Sequence, residues 1–138
     1  MVLDNETNLI WEVKQNKDGI KDYDNPNDAD NTYLRFECDK KFIKALNGAN
    51  WGGFSDWQLP SEEELKTLVD FNGRKPAINI AYFPNTQSSV YWSSTTDNRD
   101  WSKLVDFGNG PDVGFDDGYN NINHKNYGGY ARAVRGGQ

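Results

Sequence analysis

His124 is the only histidine in the chain, and by residue type the natural general base near neutral pH. No Ser or Cys nucleophile stands in a recognisable motif to serve it. The adjacent carboxylates Asp116 and Asp117 would point to opposite faces of an extended segment, which suits a glycosidase pair poorly. Cys38 is the single cysteine. It therefore excludes an internal disulfide and a thiolate metal cluster, and on a helix face it reads as a small buried hydrophobe. Asp24, Asp28 and Asp30 gather oxygen ligands in one loop, but the EF-hand spacing with its central Gly and closing Glu is absent. A solvated acidic loop without a metal is the expectation. Together these observations predict a domain that is not an enzyme and carries no cofactor, with no motif to support calcium.

Recognition chemistry is richer. Asp97, Asn98, Arg99 and Asp100, followed by Asp112, Asp116, Tyr119, Asn121, His124 and Tyr127, combine adaptable hydrogen-bonding groups with amphipathic rings. That is the composition of paratope loops; the competing reading is an ordinary polar loop. Trp51, beside Gly52-Gly53, is the tryptophan expected to be most exposed and a weak candidate for ring stacking. Trp101 alternates with Lys103, Val105 and Phe107 on one strand face and is expected in the core.

Composition narrows the partners. The net charge is −6 and the isoelectric point about 4.7, whereas a nucleic-acid partner requires a basic stripe that releases counterions. Sulfated polysaccharides and anionic membranes are disfavoured by the same charge. No apolar run approaches the roughly 18–20 residues that cross a bilayer, so no membrane insertion is expected. The N-terminal Met1-Val2-Leu3-Asp4 has no basic-then-apolar signal pattern. Mean hydropathy is −0.91, yet aromatics make up 14% of the 138 residues, and disordered chains lack aromatics. A single domain over residues 1–138 is expected, built on few but bulky core side chains.

The elements that position these groups are legible in outline. Val2-Leu3 and Leu9 to Val13 read as two short strands around a turn, and residues 14–32 carry loop chemistry. Between residues 34 and 47, Cys38, Phe42, Ala45 and Leu46 fall at helical spacing, with Asn47-Gly48 as the stop. Ser61 to Glu64 form a capping box that opens a second helix with Leu65, Leu68 and Val69 as its buried stripe and Asn72-Gly73 as its end. Val90 to Ser94, Lys103 to Phe107 and Tyr130 to Arg135 read as strands. The result is an α+β class, two helices packed on a small mixed or antiparallel sheet with long ordered loops.

The order of these pieces resembles the DUF1566 domains, the family of the C-terminal domain of the Legionella collagen-like adhesin. The carrying motifs are Thr7-Asn8-Leu9-Ile10-Trp11-Glu12, Gly53 to Ser61 before a helix with Glu64-Leu65, Tyr91-Trp92-Ser93-Ser94, Trp101 to Phe107, and Tyr130 to Gly136. The resemblance spans nearly the whole chain. It implies a C-type-lectin-like fold whose terminal strands pair, and a secreted, periplasmic or cell-surface location. It places Trp11, Trp57 and Trp92 in framework motifs, hence in the core. The calcium-and-sugar triplets of true lectins, Glu-Pro-Asn or Gln-Pro-Asp with Trp-Asn-Asp, are absent. The family commonly has Arg where this chain has Gln58, which implies the loss of a buried ionic anchor. It often has Cys where this chain has Ala133, so the disulfide that Cys38 would make is missing; such a link is typically worth about 2–4 kcal/mol.

The reading that follows is a non-enzymatic extracellular recognition or adhesion domain binding a glycan or protein through residues 97–127. The alternatives are a structural or oligomerising cap of a larger surface protein, assembled as a homo-oligomer, and a hypervariable ligand-binding protein.

Overall fold

Two neighbouring strands divide the core into two halves. The computed structural model describes residues 1–70, 75–96, 101–108, 117–120 and 128–136, with backbone alone for Trp101 and residues 117–120. Strand β3 (Val90–Thr96) pairs antiparallel with β4 (Trp101–Asp106), Tyr91 opposite Val105 and Trp92 opposite Leu104. Strand side chains alternate between faces. Val90, Trp92 and Leu104 therefore join Cys38, Phe42, Leu46 and Trp57 in one cluster, while Tyr91, Val105 and Phe107 join Trp11, Leu65, Ile78 and Phe83 in the other. A sheet covered on both faces needs apolar residues at consecutive positions, which is why Val90-Tyr91-Trp92 and Leu104-Val105 show no polar alternation.

Asp117–Asn120 forms β5 on the free side of β4, a strand not expected from its residues. The second sheet joins the chain's two ends. Strands β1 (Val2–Leu3), β2 (Ile10–Trp11) and β6 (Val134–Arg135) pair antiparallel in the order β1-β2-β6. The expected turn lies between β1 and β2, closed by Asn8 at φ 60° and by hydrogen bonds from Asp4 N–H to the Leu9 carbonyl and from Asn8 N–H to the Asp4 carbonyl. Two small antiparallel sheets and short helices make the chain α+β.

The first helical region begins later than expected, as a π-helix over Cys38–Ile43 that continues into α1 (Lys44–Gly48). Leu34 to Glu37 form a turn instead, with Leu34 N–H donating to Glu37 Oε1. The wider π winding takes more than four residues per turn, so Cys38, Phe42 and Leu46 stay on one buried face and Ala45 swings out to solvent. Helix α2 (Glu62–Lys66) carries the full capping box: Glu64 N–H donates to Ser61 Oγ at 3.1 Å and Ser61 N–H to Glu64 Oε1 at 2.8 Å. It stops well before Asn72-Gly73. The Thr67 hydroxyl donates to the Glu64 carbonyl, and Leu68 and Val69 N–H groups reach back only three residues, tightening the chain into turns. Leu65 is buried; Leu68 and Val69 are half-buried against the same cluster.

The last strand is shorter than Tyr130 to Arg135. The Ala133 N–H donates to a side chain, Glu12 Oε1 at 2.9 Å, so ladder pairing is confined to Val134 and Arg135. Glu12 is fully buried, and its other oxygen accepts from Lys14 Nζ at 3.0 Å and Asn27 Nδ2 at 2.7 Å. Arg132, equally buried, donates to the Glu12 carbonyl at 2.7 Å and to Thr86 Oγ1 at 2.9 Å. This cluster corrects the expectation at position 58. Gln58 is exposed and held through its backbone to Val134, so no ionic group is missing from the interior there. Trp51 is the most exposed of the described tryptophan side chains, as expected, but only half-exposed: it lies edge-on to Trp57 at 5.4 Å, and its carbonyl accepts the Trp57 indole N–H. Trp11, Trp57 and Trp92 lie in the core as expected.

Two outcomes follow. Removing Arg132 as Arg132→Met leaves the Glu12 carbonyl and Thr86 Oγ1 without a buried donor and should cost about 1–3 kcal/mol in a denaturant titration; an unchanged stability would show that the cluster re-forms without it. Burial pushes the Cys38 thiol up to about 12, and thiolate is the reactive form. Cys38 should therefore ignore a disulfide reagent in the folded protein and react fully in denaturant. Rapid labelling of the native protein would contradict this burial.

Candidate functional site

Tyr119 is the one expected site residue that the structure places, in β5 opposite Ser102. Asp97, Asn98, Arg99, Asp112, Asp116, Asn121, His124 and Tyr127 lie outside the described residues, as does Asp100. The register nonetheless fixes where two of the late segments attach. Asn120 pairs with Trp101, and Thr96 with Ser102. The chain thus leaves β3, enters β4 and leaves β5 at one end of the sheet. The late stretch returns at Gly128, beside Thr32, where an added Cβ would lie 3.4 Å from Thr32 Oγ1.

That return point borders a cleft of about 450 Å³ lined by Tyr23, Thr32, Tyr33, Glu37 and Lys41. Tyr33 is buried and stacks edge-on against the exposed Tyr23 at 5.7 Å. The Tyr23 hydroxyl donates to the Thr32 carbonyl at 2.8 Å, and Lys21 Nζ reaches Thr32 Oγ1 at 3.0 Å. Glu37 and Lys41 pair across one helical turn at 2.7 Å, and the Lys41 hydrogen bond holds the Glu37 carboxyl below its ordinary value against the opposing effect of burial. Burial raises the Tyr33 phenol. Rings, hydroxyls, one ammonium group and one carboxylate can stack and hydrogen-bond a polar ligand.

The wall carrying Tyr23 and Thr32 is held by the loop that was expected to be solvated and acidic. Asp28 and Asp30 are instead buried, because each carboxylate replaces a missing backbone partner. Asp30 Oδ2 accepts the Asp18 and Gly19 N–H groups at 2.8 Å each, and Oδ1 accepts Gln87 Nε2 at 2.9 Å. Asp28 Oδ1 accepts Asp30 N–H at 2.9 Å. Asn31 ties the carbonyls of Asp22 and Asn25. Among the described residues no group of three His, Cys, Asp or Glu side chains converges as a metal site, and no helix is long and apolar enough to cross a membrane.

A second cleft, of about 480 Å³, separates the β1–β2 turn from Thr67, Leu68 and residues 78–83, with Leu3 and Tyr82 exposed on its rim and Trp11 and Phe83 beneath. None of these cleft residues was singled out as a ligand-binding group from the sequence. Only the Glu37–Lys41 pair had a readable signal, opposite charges four residues apart in a helical pattern. The others are assembled by loop geometry across distant positions.

Burial opposes ionisation of Asp30, but the Asp18, Gly19 and Gln87 donors outweigh it and hold its carboxyl below 3.8. A carboxyl depressed on folding stabilises fully above its unfolded value, and that contribution is lost as pH falls through the folded one. Asp30→Asn should therefore be less stable by roughly 1–3 kcal/mol near neutral pH and lose less stability than the parent on acidification. Parallel stability curves for the two proteins across the acid range would count against an ionised Asp30.

No curated protein and no solved structure matches the chain. The model of one family, the Lcl C-terminal domain, matches residues 1–135, a span that takes in the β1–β2 pair, the capped helix, the central strands and the Arg132 strand. The chain belongs to the Lcl C-terminal domain family.

Proposed function

We propose that the domain is a non-enzymatic recognition module of a bacterial surface protein, of C-type-lectin-like fold, that binds an extracellular glycan or protein. Its ligand meets the face where the Tyr23–Lys41 cleft borders the late stretch of chain. The observation that carries this reading is the junction itself: a cleft of rings, hydroxyls and an ion pair adjoins Gly128, where a segment rich in Asn, Asp and Tyr rejoins the framework. Family membership supports a surface and adhesion role, and the pairing of terminal strands β1-β2-β6 supports the lectin-like arrangement. Recognition proceeds by hydrogen bonding and ring stacking, with no cofactor and no covalent step on the ligand.

The exposed Leu3 and Tyr82 on the rim of the second cleft favour one further reading, an oligomerising cap that buries this rim against a sister subunit. One experiment separates the two. A glycan array is screened with and without calcium, using the parent domain and the Tyr23→Ala, Lys41→Ala, Asp116→Ala and Tyr119→Ala variants, each sized by light scattering. Recognition at the proposed face predicts binding that drops about tenfold or more in these variants, a change of roughly 1.4 kcal/mol. Binding untouched by all four would place the ligand elsewhere. A folded sample that binds nothing and runs as a dimer or trimer would favour the cap.

A further inference from the structure

The interior contains three side chains whose arrangement exceeds what a static ion pair requires. Glu12 Oε2 accepts from Lys14 Nζ at 3.0 Å and from Asn27 Nδ2 at 2.7 Å, so a single carboxylate oxygen touches both an amine and the nitrogen of a carboxamide. Lys14 Nζ also donates to the carbonyl of Pro26, the residue before Asn27, at 3.3 Å, and Asn27 Nδ2 to the Val13 carbonyl at 3.0 Å. Amine and amide thus share one carboxylate oxygen, and each also donates to the backbone carbonyl of the residue before the other. Glu12, Lys14 and Asn27 are all buried, and the Lys14 amine sits 4.1 Å above the centre of the Phe42 ring.

We propose that Lys14 and Asn27 form an intramolecular isopeptide bond, with Glu12 as the proton relay. An amine attacks an amide when it is neutral, close, and shielded from water, and when a group nearby can move its proton to the departing nitrogen. The Lys14 Nζ attacks Cγ of Asn27; the Nζ–Cγ bond forms, the Cγ–Nδ2 bond breaks, and ammonia leaves. Glu12 takes a proton from the attacking nitrogen and returns one to the leaving nitrogen, so it ends unchanged and no oxidant or co-reactant enters. Burial of Lys14 lowers its pKa despite the opposing charge of Glu12, which favours the neutral amine that the step needs. The link would close the loop from residue 14 to residue 27, on which the wall of the Tyr23–Lys41 cleft is built. It would also give this chain a covalent tie, in a protein whose only cysteine has no partner.

Intact-mass measurement of the whole domain tests this directly. The expected mass is that of the sequence less one ammonia, and a tryptic digest should contain Met1–Lys17 joined to Asp22–Arg35 through Lys14 and Asn27. Glu12→Gln and Lys14→Arg should each keep the full mass, and the thermal midpoint of folded variants should fall below the parent's. An unmodified parent mass after prolonged incubation overturns the proposal. So does an ammonia loss that survives in Lys14→Arg, since that would mark a succinimide at Asn27. Should a variant fail to fold, the branched peptide of the parent, present or absent, decides alone.

Discussion

The carboxylate of Glu12 is the point on which the rest of the structure depends. It stands at the end of β2, takes the N–H of Ala133 from the closing strand, and holds Lys14 and Asn27 of the following loop. Its own carbonyl takes Arg132, which continues to Thr86 and lies over the rings of Phe83 and Tyr91. An unpaired carboxylate in such a place would be prohibitive. Each partner therefore has to be where it is before the interior can close, and the chain's two ends are brought together by a polar contact as much as by the β2–β6 ladder. Buried charge of this sort is weak evidence for stability but a strong selector of one arrangement over others.

Around that point the two apolar clusters are arranged by the alternation of β3 and β4. One face takes the π-helix and α1, the other takes α2 and the residues around Ile78. Cys38 and Ala133 lie in the same cluster, at the positions where the family resemblance implies a disulfide. In this chain the place of a crosslink is taken by packing of a small thiol and a methyl group, both fully buried. The surface adds one well-formed clamp, Arg135 held by both oxygens of Asp56 and laid over the Phe54 ring, which steadies the strand end from outside.

Much of the frame was legible because its signals are local. The Ser61–Glu64 capping box, the strand pattern around Tyr91 and the turn after Val2-Leu3 each depend on residues within a few positions of one another. What was not legible is non-local or depends on exceptions to the usual periods. The π winding displaced Ala45 from its helical face, and the side-chain acceptance of the Ala133 N–H cut the last strand short. The burial of Asp28 and Asp30 reversed the ordinary preference of carboxylates for water, because loop N–H groups had no other acceptor. Glu12 and Lys14 did carry a hint, two opposite charges two residues apart just past a strand, as did an Arg between alanines in an apolar run. The Tyr23–Lys41 cleft had none, since its walls come from a loop and a helix that meet only in three dimensions.

Gly108 and Gly129 meet rigid neighbours, whereas a methyl on Gly52 would meet only the Met1 side chain, at 2.8 Å, and one on Gly53 nothing. A methyl group on Gly108 would lie 2.7 Å from the Ser88 carbonyl oxygen, and one on Gly129 would lie 2.7 Å from the Trp92 indole nitrogen. Both close approaches press the backbone onto rigid parts of the frame, and Gly129 is further stapled to Tyr33 by a reciprocal pair of backbone hydrogen bonds. The backbone is thereby anchored at two points, just after β4 and just before the Arg132 segment, so the register of β6 and the polar interior it completes are set by close packing at glycines that no larger residue could replace without displacing Ser88 or Trp92.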